Sequence, residues 1–212
     1  MRWATFDCYG TLIDWNGGIG RELERLFGAD RAAECLSRYH ELEPEIQAED
    51  PSRSYREVMA IDLARLGAPA EEHDALGRAL PGWEPFPEVP AALAEARARG
   101  WRLAILSNSD RDLIDASVAR LGVPFDETIV ASEIGSYKPA PRHWEEFFAR
   151  TGADRAGHVH VAASLFHDIA PASSLALRTV WINRLGEAPE PRPDVELRNL
   201  DRLADTMDML VP

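Results

Sequence analysis

Cysteine is scarce in this chain, which has two cysteines, Cys8 and Cys35, among 212 residues. Two cysteines cannot build a disulfide framework, and no Cys-x-x-Cys pair indicates a metal site or a redox motif. We therefore expect both side chains to be reduced thiols.

Long apolar runs and positive charge are also in short supply. No run of about eighteen apolar residues occurs, and the N-terminus lacks the charged and then apolar pattern of a signal peptide, so we expect a cytoplasmic protein. Lys and Arg number 23 against 36 Asp and Glu, which gives a net charge of -13. This balance disfavours nucleic acid and anionic membranes as partners. An anionic small-molecule substrate would depend on local cations.

The hydrophobic residues, 45% of the chain, are enough for a packed core and follow two patterns. Residues 15–86 have helical periodicity interrupted by Gly, Asp and Pro. From residue 88 onward helices and strands alternate, which predicts a Rossmann-like parallel sheet with helices on both faces. The strand at residues 2–7 must join this sheet. We predict an α/β fold with a core domain of residues 1–14 and 87–212 and an inserted helical cap domain of residues 15–86.

The first predicted strand delivers a carboxylate to its end. Apolar residues precede Asp7, and Gly10 allows a sharp turn just past it. Ligands of parallel sheets bind outside the carboxyl ends of the strands, so Asp7 is a candidate for catalysis. Its structural alternative is a turn or a helix cap.

Three further segments place polar side chains near predicted strand ends. Ser107 and Asn108 follow one strand, Lys138 stands in a loop before Pro139, and Asp168 follows the strand at residues 158–162. Each segment alone could be ordinary turn chemistry. Together the four segments favour a catalytic site.

These segments resemble, in order, the four motifs of the haloacid dehalogenase superfamily. In that resemblance Asp7 is the nucleophile. Phosphatases of the superfamily usually carry Asp two residues later, whereas this chain has Tyr9, as the 2-haloacid dehalogenases do. The resemblance implies cleavage of the carbon-halogen bond of a small 2-haloacid through an aspartyl ester.

The same resemblance assigns two further catalytic residues. Lys138 is matched to the lysine that keeps the nucleophile ionised, and its alternatives are a solvated loop lysine or a pair with Asp168. Dehalogenases carry Ser and Asn where this chain has Ala163 and Leu165. Ester hydrolysis is then left to Asp168, Lys138 and Ser164.

Substrate binding is assigned to hydrogen-bonding groups near the strand ends. The resemblance gives Ser107 and Asn108 to substrate binding and Thr11 to positioning Asp7, and helix capping is the alternative. Tyr9 is also predicted to bind the substrate. We interpret Asp110 as a helix cap.

Arg38 is the candidate for a cation supplied by the cap. It stands about where the dehalogenases keep an arginine that receives halide. An ordinary surface arginine is the alternative.

No metal or cofactor is expected. His158 and His160 alternate along a strand and share one face, a spacing that can suit a metal, but no further ligands are evident and we favour ordinary, partly buried histidines. Magnesium prefers several oxygen ligands, and Tyr9 and Ala163 supply no acidic partner for Asp7.

Two other functions stay open. One is a phosphatase acting on a phosphorylated metabolite, which magnesium dependence would reveal. The other is a catalytically idle protein that binds small carboxylates. The sequence does not determine the oligomeric state, so a homodimer also stays open.

Overall fold

A computed structural model describes the whole chain, residues 1–212. The six strands are β1 (Arg2–Phe6), β2 (Trp101–Ser107), β3 (Glu127–Val130), β4 (His158–Ala162), β5 (Arg178–Ile182) and β6 (Val195–Leu197). The ten helices are α1 (Trp15–Phe27), α2 (Ala29–Glu49), α3 (Tyr55–Arg65), α4 (Ala75–Ala79), α5 (Val89–Ala98), α6 (Arg111–Leu121), α7 (Ala131–Ile134), α8 (Arg142–Thr151), α9 (Ala170–Ser174) and α10 (Leu203–Leu210). None of these helices combines the length and apolar character that a membrane span requires.

All six strands form one parallel sheet in the order β3-β2-β1-β4-β5-β6. The predicted α/β fold is thereby confirmed. The inner strands are buried over almost their whole length because helices cover both faces, and in β2 only Arg102 is exposed. β1 lies in the middle, where Phe6 pairs with Ile105 on one side and Val161 on the other. The carboxyl ends of β1, β2 and β4 therefore meet at one point.

Helices α1 to α4 are inserted between β1 and β2, and no strand of the sheet lies among them. The two connections to this helical region run side by side. The Asp14 amide donates to the Glu84 carbonyl at 2.9 Å, and the Phe86 amide donates to the Leu12 carbonyl at 3.0 Å. The structure thus contains the predicted helical insert. The domain boundaries at residues 14/15 and 86/87 stay a prediction.

The helical insert and the sheet share one hydrophobic core. A cluster of 42 buried residues joins Ile19 and Tyr39 of the insert to Phe6 and Leu103 of the sheet. Gly18 of α1 also lies so close to the Trp83 indole that a Cβ atom there would clash with the ring. A separate cluster that includes Trp3 covers other parts of the sheet.

Asp110 links the sheet side of the molecule to the insert. Its carboxylate accepts hydrogen bonds from the backbone amides of Tyr55 at 2.9 Å and Arg56 at 3.0 Å, at the start of α3. It makes no side-chain cap on α6, the helix that follows it in sequence. Asp110 is therefore a cap as predicted, but the helix that it caps lies across the cleft. An anion at a helix N-terminus is stabilised by the free amides and the helix dipole.

Candidate active site

Asp7 lies directly beyond β1, at the meeting point of the three strand ends. Its backbone amide donates to the Val161 carbonyl at 3.1 Å, which continues the sheet pairing by one residue. Gly10 then adopts a φ of +85°, a left-handed conformation that favours glycine, and turns the chain away. The carboxylate is left at the floor of a cavity of about 210 Å³.

Both oxygens of the Asp7 carboxylate are held. Lys138 Nζ donates to Oδ1 at 2.9 Å, and Thr11 Oγ1 donates to Oδ2 at 2.8 Å. The Ala163 amide donates to Thr11 Oγ1 at 2.9 Å. Because that amide can only donate, the hydroxyl oxygen accepts and its hydrogen is directed to Asp7. Thr11 therefore donates to Asp7 in a fixed direction, which is the contact that its predicted positioning role requires.

Lys138 is buried with all three of its ammonium donors used. Besides Asp7, Nζ contacts the Leu106 carbonyl at 2.8 Å and Asp168 Oδ1 at 2.7 Å. A buried charge is tolerated when its hydrogen bonds are satisfied and an opposite charge is near. The sequence left open a solvated loop lysine or a pair with Asp168. The structure shows a buried lysine shared between Asp7 and Asp168.

Asp168 receives a second hydrogen bond from a chain of histidines. It lies in a π-helical turn, Leu165–Ile169, and His160 Nε2 donates to its Oδ1 at 3.0 Å. His160 Nδ1 then accepts a hydrogen bond from the Thr5 hydroxyl at 2.8 Å. The same hydroxyl oxygen accepts a hydrogen bond from His158 Nε2 at 2.9 Å. A carboxylate can only accept, which places a hydrogen on His160 Nε2, and the remaining directions are those of the tautomers that carry the hydrogen on Nε2. Both histidines are fully buried, whereas the sequence favoured partly buried histidines.

The electrostatics of this cluster depend on one cation and two carboxyl groups. Burial raises the pKa of Asp7 and the nearby Asp168 charge adds to that rise, whereas Lys138 opposes it. Burial also opposes ionisation of Asp168, but Lys138 and His160 prevail and lower its pKa to about 2. The Lys138 field is therefore what favours the ionised form of Asp7.

The three remaining predicted residues of the core lie beside this cluster. Ser107 lines the cavity. Asn108 also lines it, but its amide is committed to the backbone of Lys138, where Oδ1 accepts from the amide at 2.6 Å and Nδ2 donates to the carbonyl at 2.9 Å. The structure thus adds a positioning role for Asn108 to the predicted one. Tyr9 lines the same cavity, and its hydroxyl pairs with Ser117 at 3.1 Å.

Arg38 is the one predicted site residue that the structure places elsewhere. Its guanidinium pairs with Glu41 at 2.6 Å, its side chain is 51% exposed, and it does not line the cavity. The residues of α2 that do line the cavity include Glu43 and Gln47. Five residues turn an α-helix about 140° beyond one full turn, so Arg38 and Glu43 cannot share a face. The expected halide-binding cation of the cap was a wrong prediction.

The helical insert supplies a wall of the cavity that sequence reasoning missed. Its lining residues are Trp15, His40, Glu43, Gln47 and Tyr55. Two residues of the core loop after β4, Ser164 and His167, complete the lining. Burial lowers the pKa of His167 to about 4, so its imidazole is neutral at pH 7. None of the five residues of the insert stands in a motif, so only their three-dimensional placement identifies them, whereas Ser164 and His167 belong to the segment that leads to Asp168.

The donor set does not suit a magnesium ion. No group of three or more His, Cys, Asp or Glu side chains is arranged to hold a metal. The Lys138 ammonium lies between the Asp7 and Asp168 carboxylates, where it would repel a divalent cation. Tyr9 and Ala163 add no carboxylate.

Comparisons with known proteins identify the family and relatives that cover nearly the whole chain. The family model for haloacid dehalogenase-like hydrolases matches residues 1–175. The (S)-2-haloacid dehalogenase of Pseudomonas sp. (strain YL) is 31% identical over 98% of this chain and 95% of its own length.

Two solved structures have the same fold. An L-2-haloacid dehalogenase superimposes with a TM-score of 0.85 over 98% of this chain and 99% of its own, at 24% identity. The L-2-haloacid dehalogenase of Xanthobacter autotrophicus, with chloropropionic acid covalently bound, gives a TM-score of 0.83 over 98% of both chains, at 21% identity.

Proposed function

This chain belongs to the haloacid dehalogenase-like hydrolases, and we propose that it cleaves the carbon-halogen bond of a small 2-haloacid through an ester formed on Asp7. The observation that carries the proposal is the Asp7 carboxylate at the floor of a cavity, held by Lys138 and Thr11. A carboxylate fixed in this way is suited to attack carbon. The full-length relative named above bears a dehalogenase name.

In the first step, an Asp7 oxygen attacks the substrate carbon that carries the halogen. The new carbon-oxygen bond forms as the carbon-halogen bond breaks, and the halide leaves with the bonding electron pair. Lys138 keeps Asp7 ionised before the attack, and Thr11 fixes the orientation of the carboxylate. Ser107 and Asn108 would bind the substrate carboxylate, and Tyr9 would pack against the substrate.

In the second step, water attacks the carbonyl carbon of the Asp7 ester. Asp168 is the proposed acceptor of the water proton, which it then passes to the leaving oxygen of the product, because it lines the cavity and its Oδ2 has no hydrogen-bond partner. The ester bond breaks, the 2-hydroxy acid leaves, and the Asp7 carboxylate is restored. Ala163 and Leu165 contribute no polar side chain to this step, which leaves Ser164 and Lys138 to order the water.

The division of the chain into domains supports this assignment of roles. We propose that residues 1–14 and 87–212 form the catalytic core and that residues 15–86 form the cap over it. All three proposed catalytic residues, Asp7, Lys138 and Asp168, then belong to the core. The cap would contribute the wall that selects the substrate.

The test is a panel of 2-chloro and 2-bromo acids and phosphate monoesters, each assayed with and without EDTA. We expect halide release from haloacids that EDTA does not change, and no halide release by Asp7→Asn. Phosphate release that requires magnesium would replace this proposal with a phosphatase. Binding of small carboxylates without any product would indicate an idle binding protein.

A further inference from the structure

Glu43 is a carboxyl group in the cavity that the proposed reaction does not use. It lies on α2, faces the same cavity as Asp7 and is only 7% exposed. A carboxyl group is costly to bury unless a partner satisfies it. The hydrogen bonds that Glu43 already makes therefore indicate which ligand group it can bind.

The hydrogen bonds around Glu43 have a fixed direction. Trp15 Nε1 contacts the Tyr55 hydroxyl at 3.0 Å, and that hydroxyl contacts Glu43 Oε1 at 2.7 Å. An indole N–H can only donate, so the Tyr55 oxygen accepts and its single hydrogen is directed to Glu43. Glu43 Oε1 is therefore an acceptor. The other oxygen, Oε2, makes no hydrogen bond to the protein and is left to the cavity.

The cavity contains more negative than positive groups. Three carboxyl groups line it, those of Asp7, Glu43 and Asp168, against the single ammonium of Lys138. That ammonium is already bound to Asp7 and Asp168. Arg38, the cation expected from the cap, points away. A substrate whose only charge is a carboxylate would be repelled by Glu43, and no free cation of the cavity would offset that repulsion.

Aromatic rings stand beside Glu43 in the same wall. Tyr9, Trp15 and Tyr55 line the cavity, and the rings of Tyr9 and Tyr55 stack with their centroids 6.2 Å apart. The face of an aromatic ring attracts cations, most strongly when the cation is desolvated. A carboxylate with a free oxygen among such rings is a binding site for an ammonium group.

We propose that the substrate is a small 2-haloacid that also carries a protonated amine, and that Glu43 Oε2 accepts a hydrogen bond from this ammonium. Asp7 attacks the halogen-bearing carbon while Glu43 holds the amine in the same cavity. This inference rests on the proposed function, because it specifies the substrate of the same site. Glu43 is then the residue that determines specificity.

The ionisation of Glu43 fits this role. Burial raises its pKa to about 7, the Tyr55 hydrogen bond limits the rise, and the Asp7 charge adds to it. The other titratable groups that interact with Glu43 are Tyr39 on the same helix, Asp62 on α3 and Tyr137 in the loop before Lys138. A bound ammonium would lower the pKa again, so Glu43 would hold its ligand as a carboxylate.

The test compares two substrates of equal size. 3-Amino-2-chloropropanoate and 2-chlorobutanoate differ in that an ammonium replaces a methyl group. We expect kcat/KM for chloride release by the full chain, corrected for the reaction without enzyme, to be at least about 10-fold higher for the amino compound, as a buried charged hydrogen bond would give. In Glu43→Gln, which keeps an acceptor for Tyr55, the ratio of kcat/KM for the amino compound to kcat/KM for 2-chlorobutanoate should fall to about one.

Glu41→Gln is the matched control, because Glu41 lies on the same helix but is exposed and pairs with Arg38. This variant should keep the wild-type ratio. Calorimetry with the unreactive pair 3-aminopropanoate and butanoate gives a readout that does not depend on turnover. Tighter binding of the amino acid by wild type, lost in Glu43→Gln, would support the assignment.

The outcomes separate the two proposals. Chloride release from both substrates with equal kcat/KM would overturn the role of Glu43 and leave the dehalogenase proposal standing. A preference for the amino compound that persists in Glu43→Gln would also overturn that role. No chloride from either substrate or from the wider haloacid panel, with calorimetry still showing Glu43-dependent binding, would refute the dehalogenase instead.

Discussion

The Lys138 ammonium lies 2.9 Å from Asp7 Oδ1, deep in a site where the lysine side chain is almost completely buried. Burial raises the pKa of Asp7, which favours the protonated carboxyl group, and that form is a poor nucleophile. The close ammonium offsets this effect. The reactivity of Asp7 is therefore set by a residue 131 positions away in the chain.

Replacing Lys138 by Met should remove this support. We expect kcat to fall by about 10²-fold or more, the size typical of losing one aligned electrostatic contact. The pKa of Asp7 should rise further without its counter-charge, so the acidic limb of the pH profile of kcat/KM should move to higher pH. Arg202→Met, which removes an exposed cation far from the cavity, is the control. A reduced rate with an unmoved acidic limb would mean that Lys138 does not act through the ionisation of Asp7.

Thr11 offers a second test of how Asp7 is held. Thr11→Val leaves one Asp7 oxygen without its donor and the Ala163 amide without its acceptor. We expect kcat/KM to fall about 10- to 100-fold, as for the loss of one hydrogen bond to a charged group. Thr11→Ser keeps the hydroxyl and should retain most activity. Equal losses in both variants would show that the methyl group matters and the hydroxyl does not.

Asp62 should make the stability of the protein depend on pH. It is fully buried, neither carboxyl oxygen has a partner, and burial, with a further contribution from Glu43, raises its pKa to about 9. The unfolded value is about 4, so between these pH values the folded state binds more protons than the unfolded state. The contribution of Asp62 to the free energy of unfolding is therefore greatest below about pH 4 and decreases as the pH rises.

Asp62→Asn cannot ionise, so it should gain stability relative to the wild type between pH 5 and pH 8. The difference in the free energy of unfolding should grow by up to about 1.4 kcal/mol per pH unit. Urea unfolding at pH 5, 6.5 and 8 measures it. Asp112→Asn is the control, because this exposed carboxylate has its pKa lowered by Arg56 and titrates below that range. Parallel curves for wild type and Asp62→Asn would contradict a buried ionisable Asp62.

The sequence predicted the parts of the site that depend on strand order. Asp7, Ser107 and the segment that leads to Asp168 each follow a parallel strand, and the carboxyl ends of such strands meet. The alternation of His158 and His160 correctly predicted their common face. Their partners, Thr5 on the neighbouring strand and Asp168 beyond the loop, depend on strand neighbours that one sequence does not specify.

The sequence failed where the site depends on the rotation of a helix. Arg38 and Glu43 belong to one long helix of mixed polar and apolar residues, and a polar residue can lie on either side of it. The burial of Glu43 could not be predicted from the sequence, because Glu is exposed in most helices. The same limit applies to Asp110, whose partner amides lie 55 residues away in the chain.

The central claim is that Asp7 forms a covalent ester, and a single turnover in water labelled with oxygen-18 tests it most directly. With enzyme in excess over a 2-haloacid that it turns over, hydrolysis of the ester should place the label in the Asp7 carboxylate. Mass spectrometry of the peptide that contains residues 2–12 should then show a gain of one labelled oxygen, and the 2-hydroxy acid product should be unlabelled. Label that enters the product in the first turnover, with none in this peptide, would show that water attacks the substrate directly and would contradict the mechanism.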